Sequence, residues 1–196
     1  MLLAGVLAVA ACSGAKVNDV TGTVGKIGFK SKASVAQSAS FGTEPPSYFL
    51  TIVIADYNGL CPAEAVAGGV AGGLPIAGAT SLTISLTRAD VPIAPGTYTV
   101  ASSSSGSSST AVSVITQLER FDGTCNETEN EAATSGSIVV EGVSANAASG
   151  SVNLTFPDGT LSGSFQAAAC TQAESMGTFS PSGDAGTCLA LPPDAG

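Results

Sequence analysis

Short segments in which apolar and polar residues alternate recur along most of this chain. Segment 81–87 is the clearest example, because Leu82, Ile84 and Leu86 fall on one face of an extended strand and hydroxyl side chains fall on the other. This period of two predicts a half-buried antiparallel strand. The run from Tyr48 to Ala55 is apolar almost throughout, which indicates a central strand covered on both faces.

The same alternation predicts three consecutive strands near the end of the chain, over residues 136–145, 149–156 and 160–168. Val152, Leu154 and Phe156 share one face of the second of these strands. The tripeptide Pro157-Asp158-Gly159 that follows is rich in turn-forming residues. We therefore predict a tight hairpin between the last two strands.

Nine segments carry strand patterns, and no helical periodicity lasts longer than two turns. The segments are residues 20–30, 33–41, 48–55, 81–87, 97–100, 111–121, 136–145, 149–156 and 160–168. Ala, Ser, Gly, Thr and Val dominate, a composition that favours strands and turns over helices. The pattern predicts an all-β antiparallel β-sandwich of about eight or nine strands, with a β-barrel as the alternative.

The length of 196 residues suits one folded domain, which we place at residues 20–196. Within it, the glycine- and alanine-rich segment 62–79 and the serine-rich segment 102–109 predict loops. Residues 171–196 form a predicted C-terminal tail.

The first residues predict export and lipid anchoring. A short apolar run ends in Val9-Ala10-Ala11-Cys12, which resembles the lipobox of bacterial lipoprotein precursors. The resemblance implies that residues 1–11 are a signal peptide that is removed, that Cys12 carries the covalent lipid, and that residues 12–19 hold the domain to a membrane as a tether. The run is too short to span a bilayer as a helix.

One feature of this signal departs from the family pattern, because no Lys or Arg precedes Lys16. We therefore expect an in-frame start codon upstream of Met1, with basic residues encoded between them. Ser13 follows Cys12 where enteric inner-membrane lipoproteins carry aspartate, so we expect the outer membrane.

A second resemblance covers most of the remaining chain. Segments 133–140, 150–156 and 161–170 resemble surface lipoproteins that are numerous in myxobacteria, and so do segments 22–29 and 95–100. The motifs are those of β-hairpins, and the resemblance implies no particular activity.

The chain has 15 acidic and 6 basic residues and a net charge of −9. Nucleic acid is therefore not an expected partner. Four of the cations, Lys16, Lys26, Lys30 and Lys32, lie early in the chain. They are expected either near anionic lipid headgroups or on a solvated edge strand.

Cys61, Cys125, Cys170 and Cys188 remain besides the anchor cysteine, an even number that predicts two disulfides in an exported chain. A zinc site is the alternative, but the chain has no histidine and no closely spaced cysteine pair. Four cysteines allow three pairings. We favour Cys61 with Cys125 and Cys170 with Cys188, and the sequence leaves the other pairings open.

Candidate chemistry is sparse. Without histidine, the Ser-His-Asp and Cys-His schemes of hydrolases are excluded. The densest acidic segment holds Asp122, Glu127, Glu129 and Glu131, which are weak candidates for Ca²⁺ ligands. A solvated acidic turn is the more ordinary interpretation. No cofactor other than the covalent lipid is expected.

Three hypotheses follow for function. The first is a non-catalytic interaction or structural module on the cell envelope, whose partner is an unidentified envelope protein or small ligand. The second is a carrier of a small apolar ligand, which requires a cavity of at least ~300 Å³ lined by residues such as Phe49, Ile52, Leu82 and Phe165. The third is a carboxylate-based, glycosidase-like hydrolase, which requires two acidic side chains facing each other across a cleft.

Overall fold

Alternating apolar and polar residues form paired strands throughout the described part of the chain. The computed structural model describes residues 18–42, 44–60, 76–101, 112–144 and 147–168. The strands are β1 (Thr21–Val24), β2 (Ile27–Lys30), β3 (Ala33–Phe41), β4 (Ser47–Ala55), β5 (Thr80–Ala89), β6 (Gly96–Ala101), β7 (Ser113–Phe121), β8 (Glu127–Ala132), β9 (Ser135–Ser144), β10 (Ala147–Phe156) and β11 (Gly159–Ala168).

The prediction of an all-β protein is confirmed, with two local differences. Segment 20–30, predicted as one strand, is the hairpin β1–β2, and it turns at Gly25 with φ 56°. The acidic segment predicted as a turn contains β8 at Glu127–Ala132. The predicted loop 102–109, the predicted tail 171–196 and most of the predicted loop 62–79 lie outside the described residues.

The eleven strands form one hydrogen-bonded sheet in the order β6-β9-β10-β11-β3-β4-β5-β7-β8, and β1 pairs with β11 and with β2 beside this path. All of these pairings are antiparallel except one, the parallel bridge between Ala168 of β11 and Val35 of β3. The sheet curls strongly into a half-barrel. Its concave side is called the inner face below, and its convex side the outer face.

The main hydrophobic core fills the concave side of the sheet. Ile52 of β4, Leu82 of β5, Leu154 of β10 and Phe165 of β11 all have 0% exposure and belong to one cluster. Burial of such side chains contributes about 1.5–3 kcal/mol each, so this cluster supplies most of the driving force for curling. The strands that alternate most regularly are the ones that build it.

A second, smaller cluster lies on the outer face. Val53 and Ala55 of β4 pack there with Tyr57, Leu60 and Ile76. Neighbouring residues of β4 point to opposite faces, so this half of the strand is buried on both sides. The prediction that Tyr48–Ala55 is a central strand covered on both faces is confirmed for the half after Thr51.

The predicted hairpin between the last two strands is also confirmed. Phe156 pairs with Gly159 around the turn residues Pro157 and Asp158. Gly159 then passes very close to β1, because a Cβ added there would lie 1.9 Å from the carbonyl oxygen of Thr23. Glycine at this position therefore allows β1 to pair with β11.

Candidate functional site

A groove opens at the end of the half-barrel where β3 extends past β11. Its volume is about 410 Å³, within the range that small-ligand sites occupy. Its walls come from β3, β4, the loop after β5 and the turn between β9 and β10. The lining residues are Ser38, Ala39, Ser40, Tyr48, Phe49, Leu50, Pro92, Ile93, Val143 and Ser144.

The groove arises from a mismatch in strand length and side-chain size. β11 ends at Ala168 opposite Val35, whereas β3 continues to Phe41. On the inner face of this extension, Ser38 pairs with Leu50 of β4. The serine side chain is small, so space remains beside the leucine. No described strand pairs with this edge of β3 beyond Val35.

The loop between β5 and β6 forms one wall of the groove through Pro92 and Ile93. Asp90 has φ 70°, a left-handed conformation, and its backbone N–H donates to the carbonyl of Pro46 at 2.9 Å. This turn directs Ile93 into the main core, where it is only 7% exposed. The Tyr98 hydroxyl donates to the carbonyl of Ala94 and so fixes the end of the loop.

Apolar side chains lie at this end of β3 and β4 and in the loop after β5, and we call Phe41, Phe49, Val91 and Pro92 the apolar rim. Phe49 and Pro92 also line the groove. The rings of Phe41 and Phe49 meet edge to face, with centroids 5.1 Å apart and planes at 81°. Phe41 remains 64% exposed and Val91 41% exposed. The apolar rim therefore offers contact area that the domain itself does not bury.

No charged side chain lines the groove among the residues that the structure describes. Its polar groups are the hydroxyls of serine and Tyr48. Arg88 pairs with Tyr48 across β4 and β5, and its Nε atom is buried without a hydrogen-bond partner. The groove thus presents hydroxyl, aromatic and aliphatic groups, and the unpaired Arg88 Nε lies on the strand next to Tyr48.

Of the four residues predicted to line an apolar cavity, one lines the groove and three belong to the main core. Phe49 lines the groove, whereas Ile52, Leu82 and Phe165 are fully buried in the main core. Tyr48, Ile93 and Val143 line the groove and were not predicted. No local sequence signal identifies them, because they meet only through pairing between distant strands.

The acidic residues do not form one cluster. The Asp122 carboxylate caps its own turn, accepting from the N–H of Thr124 at 2.8 Å and of Asn126 at 3.0 Å. The hydroxyl of Thr124 also donates to it, at 2.7 Å. These hydrogen bonds, above all that from the hydroxyl, lower the pKa of Asp122 to about 2. The carboxylate is thereby occupied by its own turn.

The glutamates of β8 lie on both faces of the sheet. Glu129 and Glu131 pair with Arg120 and Leu118, so they share the inner face. Glu127 pairs with Phe121 after a bulge, on the side of Glu119. Burial, and secondly the charge of Glu127, raise the pKa of Glu119. In the described ranges, no three acidic, histidine or cysteine side chains are close enough to hold a metal ion.

Of the predicted disulfide cysteines, Cys125 lies within the described ranges. It follows the Asp122 turn with φ 60°, and its N–H donates to the carbonyl of Asp122 at 3.0 Å. It is not a free thiol in the structure. Cys61, Cys170 and Cys188 lie outside the described residues, as does the predicted lipid attachment site Cys12, so the pairings stay predictions.

The chain enters the domain between β3 and β11. The Asn18 side chain accepts from the Ser34 hydroxyl at 2.7 Å and from the N–H of Gln166 at 3.0 Å. The N–H of Asp19 donates to the carbonyl of Ser164 at 3.0 Å. Asn18 and Asp19, the last two residues of the predicted tether 12–19, thus contact β3 and β11.

Comparison with known proteins identifies no relative. No protein-family model, no curated protein and no solved structure matches the chain. In the segments that the structure describes, no helix has the length and apolar character needed to cross a membrane. Function is therefore argued from the groove, the apolar rim and the point where the chain enters the domain.

Proposed function

We propose that this chain is a lipoprotein of the bacterial envelope whose half-barrel is a non-catalytic binding module. The observation that carries the proposal is an open groove with no charged lining residue beside the buried core. Hydroxyl, aromatic and aliphatic groups in a concave site bind and orient a partner, but they supply no acid–base pair. The partner is an envelope protein or a small ligand.

Two further features support the envelope location. Asn18 and Asp19, the last two residues of the predicted tether 12–19, hydrogen-bond to β11, which suits a domain held close to a lipid on Cys12. Cys125 lies in an exposed turn and is not a free thiol, which suits the proposed disulfides of an oxidising compartment. The outer membrane is the proposed location.

A second candidate function is favoured by the groove's volume of about 410 Å³. A small apolar ligand fits there, against Tyr48, Phe49 and Leu50. In this case the protein carries or senses the ligand at the membrane.

One experiment tests the binding module and separates the two candidates. Ser40→Phe fills the groove, whereas Ser162→Phe adds the same ring at an exposed position of β11. Material that co-purifies with each protein from gently solubilised envelopes is identified by mass spectrometry. We expect a component retained by the wild type and by Ser162→Phe and lost from Ser40→Phe.

The nature of that component decides between the candidates, because a protein supports the interaction module and a small molecule supports the carrier. Equal recovery with all three proteins would show that the groove is not the binding site.

A further inference from the structure

Two of the three large hydrophobic side chains exposed by the described residues belong to the apolar rim. Phe41 and Val91 are held together, because the bond from Asp90 to Pro46 places the loop after β5 beside the β3–β4 hairpin. The third, Ile115, lies on the same outer face as Phe41, but it pairs with Ser85 in the middle of β5. The exposed apolar surface is thus concentrated at one end of the strands.

The first described residues show which way the chain runs relative to that end. It runs from Asn18, which contacts Gln166 of β11, through β1 to Val24, which pairs with Gly159 at the β10–β11 turn. The chain therefore runs away from the end that carries the apolar rim.

The segment between Cys12 and Asn18 is long enough to allow a lipid to approach that end. Cys12 precedes Asn18 by six residues, which span at most about 20 Å. Phe41 lies seven residues beyond Ser34 on β3, or about 23 Å along the strand. Because the Ser34 hydroxyl donates to Asn18, a lipid on Cys12 is within reach of a bilayer that touches the apolar rim.

Charges near the apolar rim disfavour an electrostatic contact. Glu44 and Asp90 are exposed beside it, and Arg88, which pairs with Tyr48, is partly buried. Lys26 lies in the β1–β2 turn at the opposite end of the strands. The rim therefore carries no excess of positive charge, and an apolar contact is the one that fits.

We propose that the apolar rim docks on the bilayer that anchors Cys12, with Phe41 entering the boundary between headgroups and acyl chains. The orientation rests on the proposed lipid anchor. Anchoring keeps the apolar rim near the surface, so that a contact that binds a free protein only at high lipid concentration is populated in the anchored one. Membrane and domain then meet beside the groove.

Tryptophan fluorescence tests this contact directly, because the chain contains no tryptophan. Phe41→Trp places a single reporter in the apolar rim, and Ile115→Trp is a matched control at a residue 60% exposed, compared with 64% for Phe41. Both full-length proteins are purified with their native N-terminal modification and reconstituted in phosphatidylcholine vesicles with and without brominated acyl chains. Equal thermal midpoints verify that both variants are folded.

We expect bromine to quench Phe41→Trp by about twofold, since a docked residue sits ~5–10 Å into the interface, and to leave Ile115→Trp unchanged. Quenching should be the same at low and high salt. Absent or equal quenching of the two variants would overturn the proposal. A shielded Phe41→Trp that bromine does not quench would also overturn it, by showing that another chain segment or a second copy covers the apolar rim.

The mass of the N-terminal peptide from the same sample separates this proposal from the anchor. If Cys12 carries no lipid, the anchor is contradicted, and docking is judged by titrating the unmodified variants with brominated vesicles to saturation. Quenching of Phe41→Trp alone would still support the contact, and its absence would refute it.

Discussion

Gly163 determines how closely the chain's entry segment packs against β11. Its φ is 144°, and a Cβ added there would lie 2.5 Å from the carbonyl oxygen of Asp19 and 2.6 Å from the Cα of Val20. Both contacts involve backbone, which has little freedom to move away. A side chain at this position must therefore displace the start of β1.

We predict that Gly163→Ala destabilises the domain by about 2 kcal/mol through strain and overpacking. The thermal midpoint should then fall by about 4–8 °C. Gly28→Ala is the matched control, because a Cβ there meets nothing within 4 Å. Calorimetry of both variants is the measurement, and an equal midpoint for both would contradict the packing described for Gly163.

The charge of Asp122 makes the stability of the domain depend on pH. Its folded-state pKa of about 2 lies below the ordinary value of 3.8, chiefly because the Thr124 hydroxyl and nearby backbone N–H groups donate to the carboxylate. A lowered folded-state pKa stabilises the fold above the unfolded-state pKa. This contribution is lost as pH falls through the folded-state value.

Asp122→Asn should therefore be less stable than the wild type at neutral pH, and the two should converge as pH falls from 3.8 toward about 2. Asp122→Ala also loses the acceptor and should be less stable than Asp122→Asn at every pH. Urea unfolding at a series of pH values measures both effects. Parallel curves for the wild type and Asp122→Asn would contradict the account.

Among the elements, sequence predicts best the strands in which one face is buried and the other is exposed, because apolar and polar residues then alternate. Leu82, Ile84 and Leu86 alternate on β5 because one face is core and the other is not. β8 was not predicted as a strand because its sequence, Glu-Thr-Glu-Asn-Glu-Ala, has no apolar face. It is held by backbone pairing with β7 and by the bond between Gln117 and Asn130 at 2.7 Å.

The groove was beyond sequence prediction for a different reason. It depends on β11 ending opposite Val35 while β3 continues, and this register joins strands far apart in the chain. Phe49 was predicted from its apolar run, but Ile93 reaches the site only through the turn at Asp90. The pattern of apolar and polar residues identifies individual strands. The groove forms where strands and loops that are distant in sequence meet.

Edge strands should be the least protected elements of the sheet. β6 and β8 each pair on one side only within the described strands, whereas β4 and β5 pair on both sides. We predict that amides of Glu127–Ala132 exchange with solvent faster, by orders of magnitude, than those of Leu82–Leu86. Hydrogen exchange followed by mass spectrometry measures this, and equal protection would mean that the edge of β8 is paired.

At the scale of the whole molecule, the two ends of the half-barrel differ. One end carries the groove and the apolar rim, and the other carries the β1–β2 turn with Lys26. The net charge of −9 disfavours self-association of such a domain. The proposed lipid on Cys12 gives this asymmetry a purpose, because it fixes which end faces the membrane.

The central claim is that Cys12 anchors the domain, and mass spectrometry of the N-terminal peptide of the protein taken from its own membranes tests it most directly. The account predicts a chain that begins at Cys12 and carries acyl groups on the cysteine sulfur and amino group. A peptide that retains residues 1–11, or a Cys12 without lipid, would contradict it.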